Sequence, residues 1–184
     1  MSASAFTCAP GRRVVTGVDE DGRSVILYDG PPQSIHYVTA TQVGALEMAH
    51  VTAFPEVGEG QVGLVDLWRT TGLPSADDPD PVASPAPFLL EPEGSGLTIR
   101  FHVWGPHLDS STMHATDTLD INIIVSGEAT LILEKGQSVV LRSGDTVVLP
   151  GNVHGWRTGA EGVAMIGIMQ RLAPRAGNQA SERG

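Results

Sequence analysis

The sequence predicts an all-β chain, a barrel or sandwich of many short strands with an N-terminal β-hairpin extension. Three observations carry this. Glycine and proline supply 22 and 13 of the 184 residues, dense punctuation that leaves only short regular segments between turns. The apolar runs are short and rich in Val, Ile and Thr, which suit a pleated sheet better than a helix. Beyond Leu97 those runs recur evenly, each separated from the next by turn residues. No internal repeat is evident, so a propeller or solenoid is not expected.

The elements follow in order. Val14–Val18 and Ser24–Tyr28 flank Asp19-Glu-Asp-Gly22, where the Asp-Gly step supplies the positive φ of a tight turn. This is a hairpin, ended by Asp29-Gly-Pro-Pro32. A lone strand pair is marginal in water, so it is expected to pack on the barrel or on a second subunit. Gly44–Phe54 and Gln61–Thr70 are further strand candidates. Val62, Leu64, Asp66 and Trp68 alternate with Gly63, Val65, Leu67 and Arg69, and both rows are partly apolar, as in a strand covered on two sides.

From Leu73 to Pro92 the chain holds six prolines. Proline has no N–H for a ladder, so an extended loop around the barrel is expected. Strands are then expected at Leu97–Trp104, Leu119–Val125, Ala129–Leu133, Ser138–Leu141, Thr146–Leu149 and Val163–Gln170. Ser126-Gly-Glu128, Glu134-Lys-Gly-Gln137 and Arg142-Ser-Gly-Asp145 are read as turns. This divides the chain into an N-terminal part, 1–96, that wraps the barrel, a barrel at 97–172, and a flexible tail at 173–184.

Composition removes several functions. The formal charge is -10 and no basic stripe offsets it, so nucleic-acid binding is not expected. No apolar run has the length of a membrane helix, and the first residues lack the basic, apolar pattern of a signal peptide. Cys8 is the single cysteine, which rules out an intrachain disulfide and suits a reducing, cytoplasmic setting. There is no Gly-x-Ser-x-Gly elbow, P-loop or dinucleotide fingerprint.

The chemistry-bearing residues cluster late in the chain. His114-Ala-Thr-Asp-Thr-Leu-Asp120, with Gly127 further on, resembles the first motif of the cupin family. Gly144-Asp-Thr-Val-Val-Leu-Pro-Gly-Asn-Val-His154 resembles the second, except that Pro150 and Gly151 are adjacent where the usual pattern has a residue between them. Arg12-Arg-Val-Val-Thr-Gly and Leu67-Trp-Arg-Thr70 are also similar to a group of small bacterial and fungal cupins. The resemblance covers residues 97–172 and implies a cupin barrel, also called a double-stranded β-helix or jelly roll.

The same resemblance implies a pocket centred on His114, Asp120 and His154. Cupins hold one divalent ion with three His and one Glu; here Thr116 stands at the second His and Asp120 at the Glu. Two imidazoles and a carboxylate remain, the set of facial-triad iron sites. Zinc accepts the same groups, and Mn or Ni are further candidates. A metal-free pocket stays open as an alternative, because a ligand is missing. Asp117 competes with Asp120 for the carboxylate role.

Strand alternation puts Asp120, Asn122 and Ile124 on one face, so Asn122 and Ile124 join Thr116 as pocket residues. His102 and Trp104 share a face and are placed at the pocket mouth, with a structural histidine as the alternative. Trp156 shares the face of His154 and either stacks on a planar substrate or closes the barrel as a core aromatic. Arg100 and Arg157 either bind a substrate carboxylate or lie at the surface. His36 and His50 carry no motif. Asp77-Asp-Pro-Asp80 lacks the spacing of a calcium loop.

Three functions follow as expectations. The first is metal-assisted lyase or isomerase chemistry, dehydration or decarboxylation, on a small oxygenated or aromatic metabolite, with His114, Asp120 and His154 as the catalytic groups. The second is a non-haem Fe(II) dioxygenase. The third is a binding or regulatory protein without turnover. The first is preferred because the His-rich set of most cupin dioxygenases is incomplete here. The resemblance also implies a homodimer, which would cover unpaired strand edges.

Overall fold

The computed structural model describes residues 6–40, 46–84 and 87–174. Strands β1 (Arg13–Val18) and β2 (Ser24–Gly30) form the expected hairpin. Its turn is built by Asp19, whose carboxylate accepts the backbone N–H groups of Asp21 and Arg23 at 3.0 and 2.8 Å. Gly22 supplies the positive φ of 78°.

The other strands make one antiparallel sheet. They are β3 (Ser34–Ala40), β4 (Leu46–Val51), β5 (Val62–Arg69), β6 (Leu97–Trp104), β7 (Asp109–His114), β8 (Thr118–Leu133), β9 (Ser138–Arg142), β10 (Thr146–Pro150) and β11 (His154–Arg171). Their order is β10-β8-β11-β6-β5-β3-β4, with β7 also on β11 and β9 also on β8. The fold is all-β, and no α-helix occurs among the described residues.

β8 and β11 organise the barrel because each serves both of its halves. Residues 118–127 of β8 pair with 163–171 of β11, and 129–133 pair with 154–158. The turn expected at Ser126–Glu128 is instead a bend within one strand. Gly127 and Gly162 both adopt φ of 77°, and a Cβ on Gly127 would lie 2.3 Å from the Gly162 carbonyl oxygen. Two glycines let the strands cross closely there without ending either one. β11 likewise begins at His154 rather than Val163. β3 and β7 were not among the expected strands, and the candidate at Gly44–Phe54 is reduced to β4, with 44 and 45 outside the described residues. Most of the expected tail at 173–184 is also outside them.

Alternation gives the sheet two packed faces. One buries Ile124, Leu131, Leu149, Trp156, Val163 and Met165, with Trp104 and Leu133 against them. The other buries Ile35, Val65, Phe101, Val103 and Ala164, closed over by Phe6, Cys8, Phe54 and Val57. Each such aliphatic or aromatic side chain contributes roughly 1.5–3 kcal/mol by leaving water. Cys8 thus packs in the second cluster, and burial raises its thiol pKa.

The described residues of the segment from Leu73 to Pro92 contain no strand or helix, and four arginines tie this strap down. Arg13 pairs with Asp80, Arg69 donates to the Pro87 carbonyl (3.2 Å), Arg100 to Leu89 (2.7 Å), and Arg171 to Glu91 and Pro92 (2.6 and 3.2 Å). A proline-rich segment has few N–H groups to build a ladder, so its carbonyls depend on side-chain donors.

Candidate functional site

The β8 register sets Asp120 opposite Leu149 of β10 and Met169 of β11. Asp120, Asn122 and Ile124 are all buried, at 6%, 8% and 1% exposure, which is the shared inward face expected from alternation. The Thr116 hydroxyl donates to one Asp120 oxygen at 3.2 Å. The other oxygen, Oδ1, is buried with no hydrogen-bond partner. Burial raises the Asp120 pKa; the Thr118 and Thr116 hydroxyls and His154 pull it back, while Glu91 pushes it up. The Thr118 hydroxyl pulls harder than that of Thr116, although it makes no hydrogen bond of good geometry.

His154 opens β11 opposite His114 and Leu133. Its Nδ1 lies 3.0 Å from the Asn152 carbonyl. That contact favours hydrogen on Nδ1 and leaves the Nε2 lone pair of the neutral ring available. The ring sits 4.6 Å from that of His114, tilted by 52°. His154 is buried and His114 exposed. Burial lowers the His154 pKa and His114 adds to this, while the Asn152 carbonyl and Asp120 oppose it.

A row of rings runs inward from this pair. His154 meets Trp156 edge-on at 6.2 Å, Trp156 meets Trp104 at 5.3 Å, and Trp104 meets His102 at 6.2 Å. Trp156 is only 4% exposed and belongs to the inner core, so the core-aromatic reading holds for it. His102 is half-buried, with its Nε2 buried and unpartnered. Burial, and then Arg100, lower its pKa from 6.5 to about 3. Gly167 makes room for it, because a Cβ there would meet His102 Nε2 at 2.7 Å and Asn122 Oδ1 at 3.1 Å.

The three donors implied for a metal are not gathered as a ligand set. Among the described residues no three His, Cys, Asp or Glu side chains are grouped so as to hold an ion. Asp117 drops out as the competing carboxylate: its side chain is 91% exposed and 4.0 Å from Arg171. Arg157 lies at the surface near Asp109, at 3.6 Å.

Sequence reasoning missed a buried polar cluster on the same sheet face. Arg100 pairs with Asp66 at 2.6 Å, both at most 2% exposed, and its guanidinium stacks 4.4 Å over Phe88. Ser34 Oγ and Asp66 Oδ2 lie 3.3 and 3.9 Å from the same nitrogen of His36, Nε2. A nucleophile relay needs the acid and the hydroxyl on different ring nitrogens, so this cluster is structural. Burial lowers the His36 pKa. The available signal was alternation, which puts Asp66 in the row of buried Leu64.

Strand order, paired long strands and an inward-facing polar group define a double-stranded β-helix protein. The chain is similar to proteins named for a cupin domain. A cupin-domain-containing oxidoreductase (srdD) of Neurospora crassa is 28% identical over 80% of this chain and 68% of its own length. Another (virC) from Hypocrea virens is 41% identical over 34% of this chain and 31% of its own. Phomopsin biosynthesis cluster protein D of Diaporthe leptostromiformis is 40% identical over 26% of this chain and 25% of its own. Among solved structures, an RmlC-like cupin from Shewanella frigidimarina aligns with a TM-score of 0.42 at 17% identity, over 65% of this chain and 83% of that one. No family model matches the chain. Cupins commonly bind a metal, and no helix among the described residues is long and apolar enough to cross a membrane.

Proposed function

We propose that this chain is a cupin enzyme acting on a small oxygenated or aromatic metabolite by proton transfer, as a lyase or isomerase. The observation that carries the reading is the buried, unpartnered Asp120 Oδ1 on the same inward face as His154, whose Nδ1 is held by Asn152. An inward carboxyl oxygen without a partner is expensive to bury, and a ligand hydroxyl or carbonyl would relieve that. Burial raises one group and lowers the other, which brings acid and base strengths closer together. His154 then removes or returns a proton through Nε2, and Asp120 hydrogen-bonds or protonates the substrate oxygen. Both steps are assigned to these side chains. Relatives named for the phomopsin biosynthesis cluster favour a secondary metabolite as substrate.

The second reading is an oxidoreductase, favoured by the names of two relatives. One experiment separates the two. A panel of small hydroxy and keto acids is incubated in D2O, with mass spectrometry for deuterium and an electrode for oxygen uptake. Proton transfer predicts deuterium in recovered substrate or product, lost by about a hundredfold or more in His154→Gln and Asp120→Asn. Oxygen consumption without deuterium incorporation would overturn it.

We also assign the hairpin β1–β2 to contact with a second copy of the chain. Ile26 and Leu27 are 64% and 62% exposed, and Val14 and Val18 are 45% and 60% exposed, an apolar surface that a lone hairpin leaves wet. Light scattering should give the mass of two chains, falling to one in Ile26→Lys/Leu27→Lys; a wild-type monomer would contradict this.

A further inference from the structure

A cavity of about 370 Å³ lies between the proline-rich strap and the adjoining ends of β5 and β6. Its size falls at the lower end of small-molecule sites. Trp68, Leu89, Pro81 and Pro92 give it flat apolar walls, Arg69 a cation, and Thr98 its inner side. A β-bulge creates it: the β5–β6 register shifts between Asp66 and Trp68. Leu67 then packs on the outer core while Trp68 lines the cavity. Bulges re-aim side chains in this way beside functional sites.

Two features make this a built compartment. Its roof is the strap, held by the arginine contacts to Asp80, Pro87, Leu89 and Pro92. Thr98 on its inner side stands in one row with Met169 and Asp120 across β6, β11 and β8, with Met169 between the cavity and Asp120. Two strand spacings separate Thr98 from Asp120, roughly 10 Å. Glu91 of the strap is near enough to Asp120 to act on its pKa.

We propose that this cavity is the binding compartment for the body of the substrate, and that it takes a planar aromatic carboxylic acid. The inference rests on the reading of Asp120 as a working group. The ring lies against Trp68 and the prolines. The carboxylate meets Arg69, the basic residue among the lining side chains, whose hydrogen bond to the Pro87 carbonyl positions the guanidinium. Asp78 and Glu93 also line the cavity; by repulsion they confine the anion to the Arg69 side.

The test uses 1-naphthoate as probe, titrated against the full chain by tryptophan fluorescence, with neutral 1-naphthalenemethanol for comparison. Saturable quenching by naphthoate is expected. Arg69→Gln should weaken naphthoate by about tenfold, or roughly 1.4 kcal/mol, without affecting the neutral alcohol. Arg69→Lys should restore part of the loss, which separates charge from misfolding, and Trp68→Phe should remove most of the quenching. No saturable binding, or equal affinity in Arg69→Gln, would overturn the proposal. Naphthoate binding that depends on Arg69 while deuterium exchange fails would refute the proton-transfer reading alone. Exchange without Arg69 dependence would refute the compartment alone.

Discussion

Burial keeps the His102 imidazole neutral, and this makes the fold sensitive to acid. Its pKa falls from 6.5 to about 3, so below about pH 6.5 the unfolded chain takes up a proton that the folded chain refuses. Stability is complete above that pH and drains away as pH falls toward 3. The loss reaches at most roughly 1.4 kcal/mol per pH unit for one such group. His36 and His154 are shifted in the same direction, whereas the raised Asp120 acts the opposite way at lower pH. Urea titrations at pH 7 and 5 should show this decline, and His102→Phe should flatten it. A slope identical in the variant would contradict the assignment.

Among the elements, β5 and β6 depend most on one pair. Arg100 joins Asp66, the strap carbonyl of Leu89 and the ring of Phe88. Arg100→Met leaves the Asp66 carboxylate buried alone and should cost about 3–5 kcal/mol. Replacing both, Arg100→Met with Asp66→Leu, should recover much of it in denaturation midpoints; equal losses in both variants would show the pair is not the cause. Elements like β6, β9 and β10 were legible because alternation and turn residues bound them on both sides. β3 was not, because Pro31-Pro32 ends the hairpin just before it and polar residues break its apolar row. β7 was hidden because Asp109–Thr112 reads as polar loop, although its pairing with β11 sets His114 beside His154. That Asp120, Asn122 and Ile124 share a face followed from period two; that the face points inward came with the cupin resemblance. The metal set came from the cupin resemblance, since motif spacing reports register on strands and says nothing of whether donors converge across them.

Over the whole molecule, the barrel presents Asp120 and His154 to an inward space, and the strap roofs a compartment beside it. What joins these parts is the coupling of two buried groups with opposite charges in their ionised forms. The negative charge of Asp120 raises the His154 pKa, while burial lowers it further than that. The direct test is an NMR titration of the His154 ring nitrogens, in wild type and in Asp120→Asn. The account predicts hydrogen on Nδ1, an apparent pKa below the ordinary 6.5, and a further fall when the Asp120 charge is removed. A His154 that titrates at or above 6.5 and ignores Asp120→Asn would contradict it.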